Sequence, residues 1–327
     1  MNVKIGMISF AHMHAGSYAN CLKQIDGVEI AGIYNEDESQ GKVMAQRFES
    51  KFYPDYNKLL EQELDGVIVC STNVDHNKHV ISAANAGCKH ILCEKPIATT
   101  LDDAKAMIYR CKESKTELGI AFPCRYIPAV INAKVAIDDA SIGKILAVKT
   151  TNHGRMPGGW FIVKEKSGGG AVMDHTPHVV DLLRWFMKSD PIEVYAEIDN
   201  KFHNMDIDDT GILTIQFDNG VFTTLDTSWS RTKSYPTWGD VTMEIVGTEG
   251  VISVDGFAQD IDLYSDANNS AQWVYWGDNM DLFLVKDFIA SVRGEKPFPI
   301  KGEDGLKALE VALAAYESAK IKSPIKI

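Results

Sequence analysis

The chain has 327 residues, 45% of them hydrophobic and 24% charged, with a formal net charge of −12 and a pI near 5.2. That length exceeds one hydrophobic core and predicts two domains, while the ordinary composition excludes a mainly disordered chain. The acidic balance excludes a surface that tracks nucleic-acid phosphates, and no apolar run reaches the length of a membrane helix, so neither nucleic acid nor membrane is expected as a partner.

From Val3 to about Phe122, strand and helix patterns alternate, the signature of a parallel sheet covered on both faces. The predicted strands are Val3 to Ile8, Val28 to Tyr34, Val67 to Cys70, His90 to Cys93 and Leu118 to Phe122. Helical patterns run from His14 to Ile25, Gln40 to Phe48 and Val80 to Ala86, and from a Thr100 cap to about Lys112. Gly87 supplies a left-handed helix stop, and Thr100 with Asp103 is a capping pair. The alternation ends at Pro123, which sets predicted domains of 1–122 and 123–327.

The second half reads as mostly antiparallel, because its strands alternate polar and apolar residues and are joined by tight turns. Thr210 to Phe217 and Val221 to Trp229 flank Asp218-Asn219-Gly220, a hairpin signal. Val241 to Val246, Val251 to Val254 and Ile261 to Tyr264 are expected to continue this sheet. Leu282 to Val292 is one amphipathic helix, and the last helix spans about 303–321. The fold class is therefore α/β: a doubly wound parallel sheet followed by an α+β domain with an open, mostly antiparallel sheet. The sheet's second face needs helices or another subunit to cover it. Cysteines 21, 70, 88, 93, 111 and 124 lack a C-x-x-C pair and fall mostly in apolar segments. With a start that enters a strand pattern at once, they point to a reducing, cytoplasmic setting.

Three stretches carry chemistry. Glu94, Lys95 and Pro96 sit where a buried parallel strand leaves its sheet, at the edge where ligands bind in open α/β folds, so Lys95 is a candidate proton-transfer group. The alternative is an exposed ion pair at a turn. Ser9-Phe10-Ala11-His12-Met13-His14 occupies the place of a G-x-G-x-x-G phosphate loop without its glycines, although Ser9 and Ala11 are small enough for a close backbone approach. Asn35 stands where such folds place a ribose-binding carboxylate, followed by Glu36, Asp37 and Glu38. Those carboxylates would repel a 2′-phosphate, so NAD is favoured over NADP; the alternative is a plain polar turn. In the second half, Asp174, His178 and Asp181 fall at i, i+4 and i+7, which sets the imidazole between two carboxylates on one helix face, with Pro177 placed in the first turn. A helix cap at Asp174 and a core histidine at 178 is the competing reading. His12, His14, His76, His175 and His178 show no strong metal-ligand spacing, and no metal is expected.

These residues together resemble the Gfo/Idh/MocA family, the glucose-fructose oxidoreductase and inositol dehydrogenase group, across nearly the whole chain. The resemblance is carried by Glu94-Lys95-Pro96, Cys70-Ser71-Thr72-Asn73 with His76, Arg125-Tyr126 with Pro128, Gly168 to Asp181, and Ile245 to Gly250. It implies an N-terminal Rossmann domain that binds NAD(P), a C-terminal sheet used for oligomerisation as a homodimer or homotetramer, and a sugar, polyol or inositol-like substrate between the two domains. Lys95, Asp174 and His178 would form the acid-base set for hydride transfer. Ser9, Phe10, Ala11, His12, Met13, Asn35, Ser71, Thr72, Asn73, His76, Glu94 and Lys95 would line the cofactor, and Arg125, Trp160 and His175 the substrate. Trp160 would stack on a sugar face or anchor its loop. Relatives that hydrolyse or eliminate glycosides with retained NAD, and a non-catalytic binder, are alternatives within the resemblance. The departures are the glycine-free loop, Asn35 in place of a carboxylate and Thr176 in place of a glycine.

Overall fold

A computed structural model describes residues 2–275 and 277–327. The chain forms two compact units, the first from Met1–Pro123, Gly159–Gly169 and Asp281–Glu310, the second from Cys124–Gly158, Gly170–Met280 and Val311–Ile327.

In the first unit the elements follow as β1 (Val3–Ile8), α1 (His14–Leu22), β2 (Val28–Tyr34), α2 (Glu38–Arg47), β3 (Phe52–Tyr53), α3 (Tyr56–Leu60), β4 (Gly66–Val69), α4 (His76–Asn85), β5 (His90–Glu94), α5 (Leu101–Glu113) and β6 (Glu117–Ala121). The six strands lie in the order β3-β2-β1-β4-β5-β6 and every pairing is parallel. This is the doubly wound arrangement, with its switch of direction between β1 and β4. β4 is buried along its whole length, as a strand covered on both faces must be. Asp37 and Asp55 cap α2 and α3, and Thr100 caps α5 through the Asp103 N–H. Two later segments return to this unit. Phe298 lies against Gly119 of β6, where a Cβ would come within 2.4 Å of its ring, and the Ile120 N–H donates to Ile300 O.

The second unit begins with α6 (Pro128–Asp138) and β7 (Ile145–His153); α7 (Lys164–Ser167), next in the chain, belongs to the first unit. Then come α8 (Ala171–Met187), β8 (Pro191–Asp199), β9 (Thr210–Phe217), β10 (Phe222–Ser228), β11 (Thr242–Gly247), β12 (Val251–Asp255), β13 (Asp260–Ser265) and β14 (Ser270–Tyr275); α9 (Met280–Val292) from Asp281 onward and α10 (Gly302–Ile321) up to Glu310 belong to the first unit, and the rest of α10 and β15 (Ile325–Lys326) to the second. Seven strands form one sheet in the order β12-β11-β7-β10-β9-β8-β15, antiparallel except for the parallel pair β7 and β10. α8 covers one face of it, over β7, β9 and β10. The opposite face leaves Ile212, Phe222 and Val251 exposed at 57%, 57% and 58%.

The hairpin at Asp218-Asn219-Gly220 forms with Gly220 at φ +85° and its N–H bonded to Phe217 O. One expectation fails: Ile261 to Tyr264 does not extend the large sheet. As β13 it pairs with β14 in a separate two-stranded sheet, and Ile261, Leu263 and Tyr264 are all exposed, so its apolar side chains are not packed against the large sheet. β7 and β8 are strands of the large sheet that the sequence pattern does not flag. In β7 the inward positions after Val148 are Thr150 and Asn152, which hides the apolar alternation.

Candidate active site

Within the first unit, the loop after β1 is closed by side chains where a glycine-rich loop would rely on bare backbone. Ser9 adopts φ +74°, the left-handed conformation that favours glycine. Its hydroxyl donates to Glu36 Oε2 at 2.5 Å and accepts the Ala11 N–H at 3.1 Å. Asn35 Oδ1 accepts the Phe10 N–H at 2.6 Å, and its amide donates to Asp37 O and Gln40 Oε1. The His12 N–H bonds Cys70 O, and the His14 N–H bonds His12 Nδ1 at 3.2 Å. Met13 ends the loop with its side chain 61% exposed. Asn35 is thus a buried brace of the loop, and Glu36 is the partly exposed carboxylate that follows β2. Trp160 resolves toward anchoring: its indole N–H donates to Ala11 O at 2.9 Å and its ring stacks on Phe161.

The exits of β4 and β5 are tied together in the same unit. His76, fully buried, places Nδ1 2.9 Å from Pro96 O and Nε2 3.3 Å from Ser71 O. Burial lowers its pKa, and a neutral imidazole has one N–H to share between those carbonyls. Ser71 and Thr72 donate to Thr72 O and Asp75, and the Asn73 amide donates to Ser167 O. Asn73 Oδ1 is a buried acceptor with no partner among the described residues. Glu94 is buried and accepts from His14 Nδ1 at 3.0 Å and from the Lys95 N–H at 3.1 Å. Burial opposes its ionisation, but His12, His14 and Lys95 outweigh that and hold the carboxyl well below its usual range. Burial also works to lower the His14 pKa, yet Glu94 and Asp281 raise it on balance. Lys95 follows as a buried residue, 4% exposed, joined to Pro96 by a cis peptide. His12, His14 and Glu94 bring three metal-type donor atoms within 4.8 Å of one another, with His14 and Glu94 already hydrogen-bonded.

In the second unit the start of α8 is set by a distant loop. Asp208 accepts the N–H groups of Gly170 and Val172 through its carboxylate and that of Ala171 through its carbonyl, and Tyr316 OH donates to the same carboxylate. A Cβ on Gly170 would lie 1.8 Å from Asp208 O, so only glycine fits there. The helix therefore begins at Ala171, and Pro177 is its seventh residue, inside the helix and past the first turn expected for it. Asp174 is likewise the fourth helical residue; Gly170 holds the cap position.

Asp174 Oδ2 accepts the Trp229 indole N–H at 3.2 Å and lies 3.3 Å from His175 Nε2, while His175 Nδ1 donates to Asn152 O at 2.6 Å. His178, 3% exposed, has Nδ1 3.6 Å from Cys124 Sγ. Asp181 is clasped by Arg125 in a two-pronged pair at 2.7 and 2.6 Å, with the guanidinium also over Trp185. Both Asp181 oxygens are thus engaged by Arg125, a residue that the resemblance assigned to substrate. Cys124 and Glu36 are neighbours that the sequence did not single out for these roles, and spacing alone offered no signal for Cys124.

Comparison with known proteins follows the same division. Residues 3–122 match the oxidoreductase family described by its NAD-binding Rossmann fold, and residues 130–253 match the GFO/IDH/MocA C-terminal domain. The chain is 27% identical to myo-inositol 2-dehydrogenase of Thermotoga maritima over 99% of this chain and 98% of that protein. It is 25% identical to the NAD(+)-dependent scyllo-inositol 2-dehydrogenase of Bacillus subtilis over 99% and 95%. A crystal structure of a probable dehydrogenase from Thermotoga maritima superposes with a TM-score of 0.87 at 27% identity, covering 99% of this chain and 98% of that one.

Proposed function

The chain belongs to the GFO/IDH/MocA oxidoreductases, with their NAD-binding Rossmann fold, and from that membership we propose that it is a dehydrogenase of a sugar, polyol or inositol-like alcohol, using NAD in preference to NADP. The observation that carries this reading is Lys95, buried at the exit of β5 beside an ionised Glu94, in a parallel sheet whose strand order is that of dinucleotide-binding folds. The donor set of the first unit fits a dinucleotide. A carboxylate follows β2, residues 35–40 contain no lysine or arginine, and Asn73 Oδ1 after β4 is a buried acceptor without a partner among the described residues.

Bound NAD supplies the hydride acceptor. Lys95 hydrogen-bonds the reacting hydroxyl, and Asp174 and His178 complete the proton-handling set. The alcohol proton passes to Lys95 or to the His178 imidazole. Inositol- and sugar-type substrates are supported by the names of the inositol dehydrogenases above. We place the protein in the cytoplasm as a homo-oligomer joined through the uncovered face of the large sheet, a reading supported by its exposed Ile212, Phe222 and Val251.

The test is reduction of NAD, followed by absorbance, with a panel of inositols, sugars and sugar acids. Turnover with a member of the panel is expected, and Lys95→Ala and His178→Ala should each lower kcat by roughly 10²- to 10⁴-fold in a folded protein. Full activity in Lys95→Ala would remove the lysine from the mechanism. Stoichiometric reduction without turnover would favour an NAD-retaining hydrolase or lyase, and failure to bind any dinucleotide a non-catalytic relative.

A further inference from the structure

Three donor groups of the first unit converge in a way that local spacing did not announce, because Glu94 lies 80 residues after His14. Glu94 Oε1 is 3.0 Å from Nδ1 of His14 and 3.7 Å from Nδ1 of His12. Around a four-coordinate zinc ion with bonds of about 2.0–2.1 Å, neighbouring donors stand about 3.3 Å apart, between those two distances. Each side chain comes from a fixed piece of backbone. The His12 N–H bonds Cys70 O after β4, His14 is the first residue of α1, and Glu94 is the last of β5. Glu94 Oε2 accepts the Lys95 N–H at 3.1 Å, which leaves Oε1 to the histidines. Tyr18 OH lies 3.4 Å from His14 Nδ1, and Phe161 and Trp160 lie beside the His12 ring with centroids 5.2 and 6.0 Å away. The group is thus polar at its centre and aromatic along one wall, with His12 and Glu94 buried and His14 23% exposed. Asp281 of α9 adds negative field at His14 and outweighs the positive field of Lys95.

We propose that His12, His14 and Glu94 bind a divalent first-row transition-metal ion, through Nδ1 of each imidazole and Oε1 of the carboxylate. Two imidazoles and one carboxylate suit Zn²⁺, Co²⁺ or Fe²⁺, whereas Ca²⁺ and Mg²⁺ take oxygen ligands. Three protein ligands leave at least one coordination position open to water. The competing arrangement, a proton shared by His14 and Glu94, draws on two of the three donors; a metal ion draws on all of them. On coordination that proton moves to Nε2 of His14 or to solvent, and the 3.2 Å contact of the His14 N–H with His12 Nδ1 gives way. The ion ties the loop after β1 to the end of β5 and offsets the charge of a buried carboxylate. It requires neither dinucleotide nor substrate, so the inference stands apart from the dehydrogenase reading.

The experiment is calorimetric titration of chelator-treated, tag-free, full-length protein with Zn²⁺, without dinucleotide, followed by X-ray absorption at the zinc edge. One equivalent should bind tightly, with nitrogen and oxygen neighbours at about 2.0–2.1 Å and the scattering pattern of imidazole. His14→Gly, which puts there the residue usual in a phosphate loop, and His12→Asn should each weaken that equivalent by more than about 100-fold, beyond the roughly 10- to 100-fold that loss of an outer-shell partner costs. Glu94→Gln should do the same, and its near-identical shape keeps the test open even if a histidine variant fails to fold. Zn²⁺ should also raise the melting temperature of the wild type and leave that of the variants unchanged. No tight equivalent in the wild type, or one retained by any folded variant, would overturn the site; retention would mark ions held by carboxylates elsewhere on this acidic chain. Because the titration contains no NAD, neither result alters the NAD reading.

Discussion

His153 shows how one residue of this chain links charge to stability. At the end of β7 it lies between two carboxylates, Nδ1 2.8 Å from Asp240 and Nε2 3.2 Å from Asp226, and Arg231 also bonds Asp240. Burial works against the charged ring, but the two aspartates prevail and push its pKa up to about 9. The folded protein thus holds this proton more tightly than the unfolded chain, whose histidine titrates near the ordinary 6.5. The stabilisation is fully present below about pH 6.5 and is lost as the pH rises through about 9. The urea midpoint of the wild type should fall across that window, and His153→Gln should start lower and show a flatter slope; parallel profiles would count against the assignment. At this scale the sequence was informative where a residue's role follows from its place on a strand: Lys95 and Glu94 leave β5 as their position after His90 to Cys93 implied. It misplaced Asn35, whose partner is a backbone N–H 25 residues away.

α8 is the element that carries Asp174, His175 and His178, the residues proposed to act from the second unit. Its first N–H groups point to Asp208, so the helix start is decided 36 residues downstream of Val172. Asp208→Ala should destabilise the protein by about 1–2 kcal/mol, the usual cost of a lost cap, and shift Asp174 and His178 enough to lower kcat. Chemical denaturation together with kinetics checks both halves of the expectation, and wild-type values in each would show that Tyr316 alone suffices to hold the helix end. The same long-range cap explains the misreading of Pro177: without Asp208 in view, a proline reads as first-turn, where its missing N–H does least harm. The parallel strands were legible because burial on both faces leaves solid apolar runs. β7 escaped because its inward positions include Thr150 and Asn152.

For the molecule as a whole, the open face of the seven-stranded sheet is the feature that bears on assembly. Ile212, opposite Asp226, and Phe222, opposite Gln216, project from neighbouring strands on that face. If copies associate through it, the double substitution Ile212→Lys and Phe222→Glu should shift the protein to monomer in light scattering while its circular dichroism is unchanged; an unaltered mass would move the interface elsewhere. The sequence by itself determined the succession of strands and helices, the parallel character of the first sheet and the family, since periodicity, caps and turn residues act over a few neighbours. Only the tertiary structure decided that 159–169 and 281–310 return to the first unit, that Arg125 closes on Asp181 and that Glu94 meets His12 and His14. Those outcomes depend on which side chains meet across long stretches of chain, and no local spacing records such a meeting.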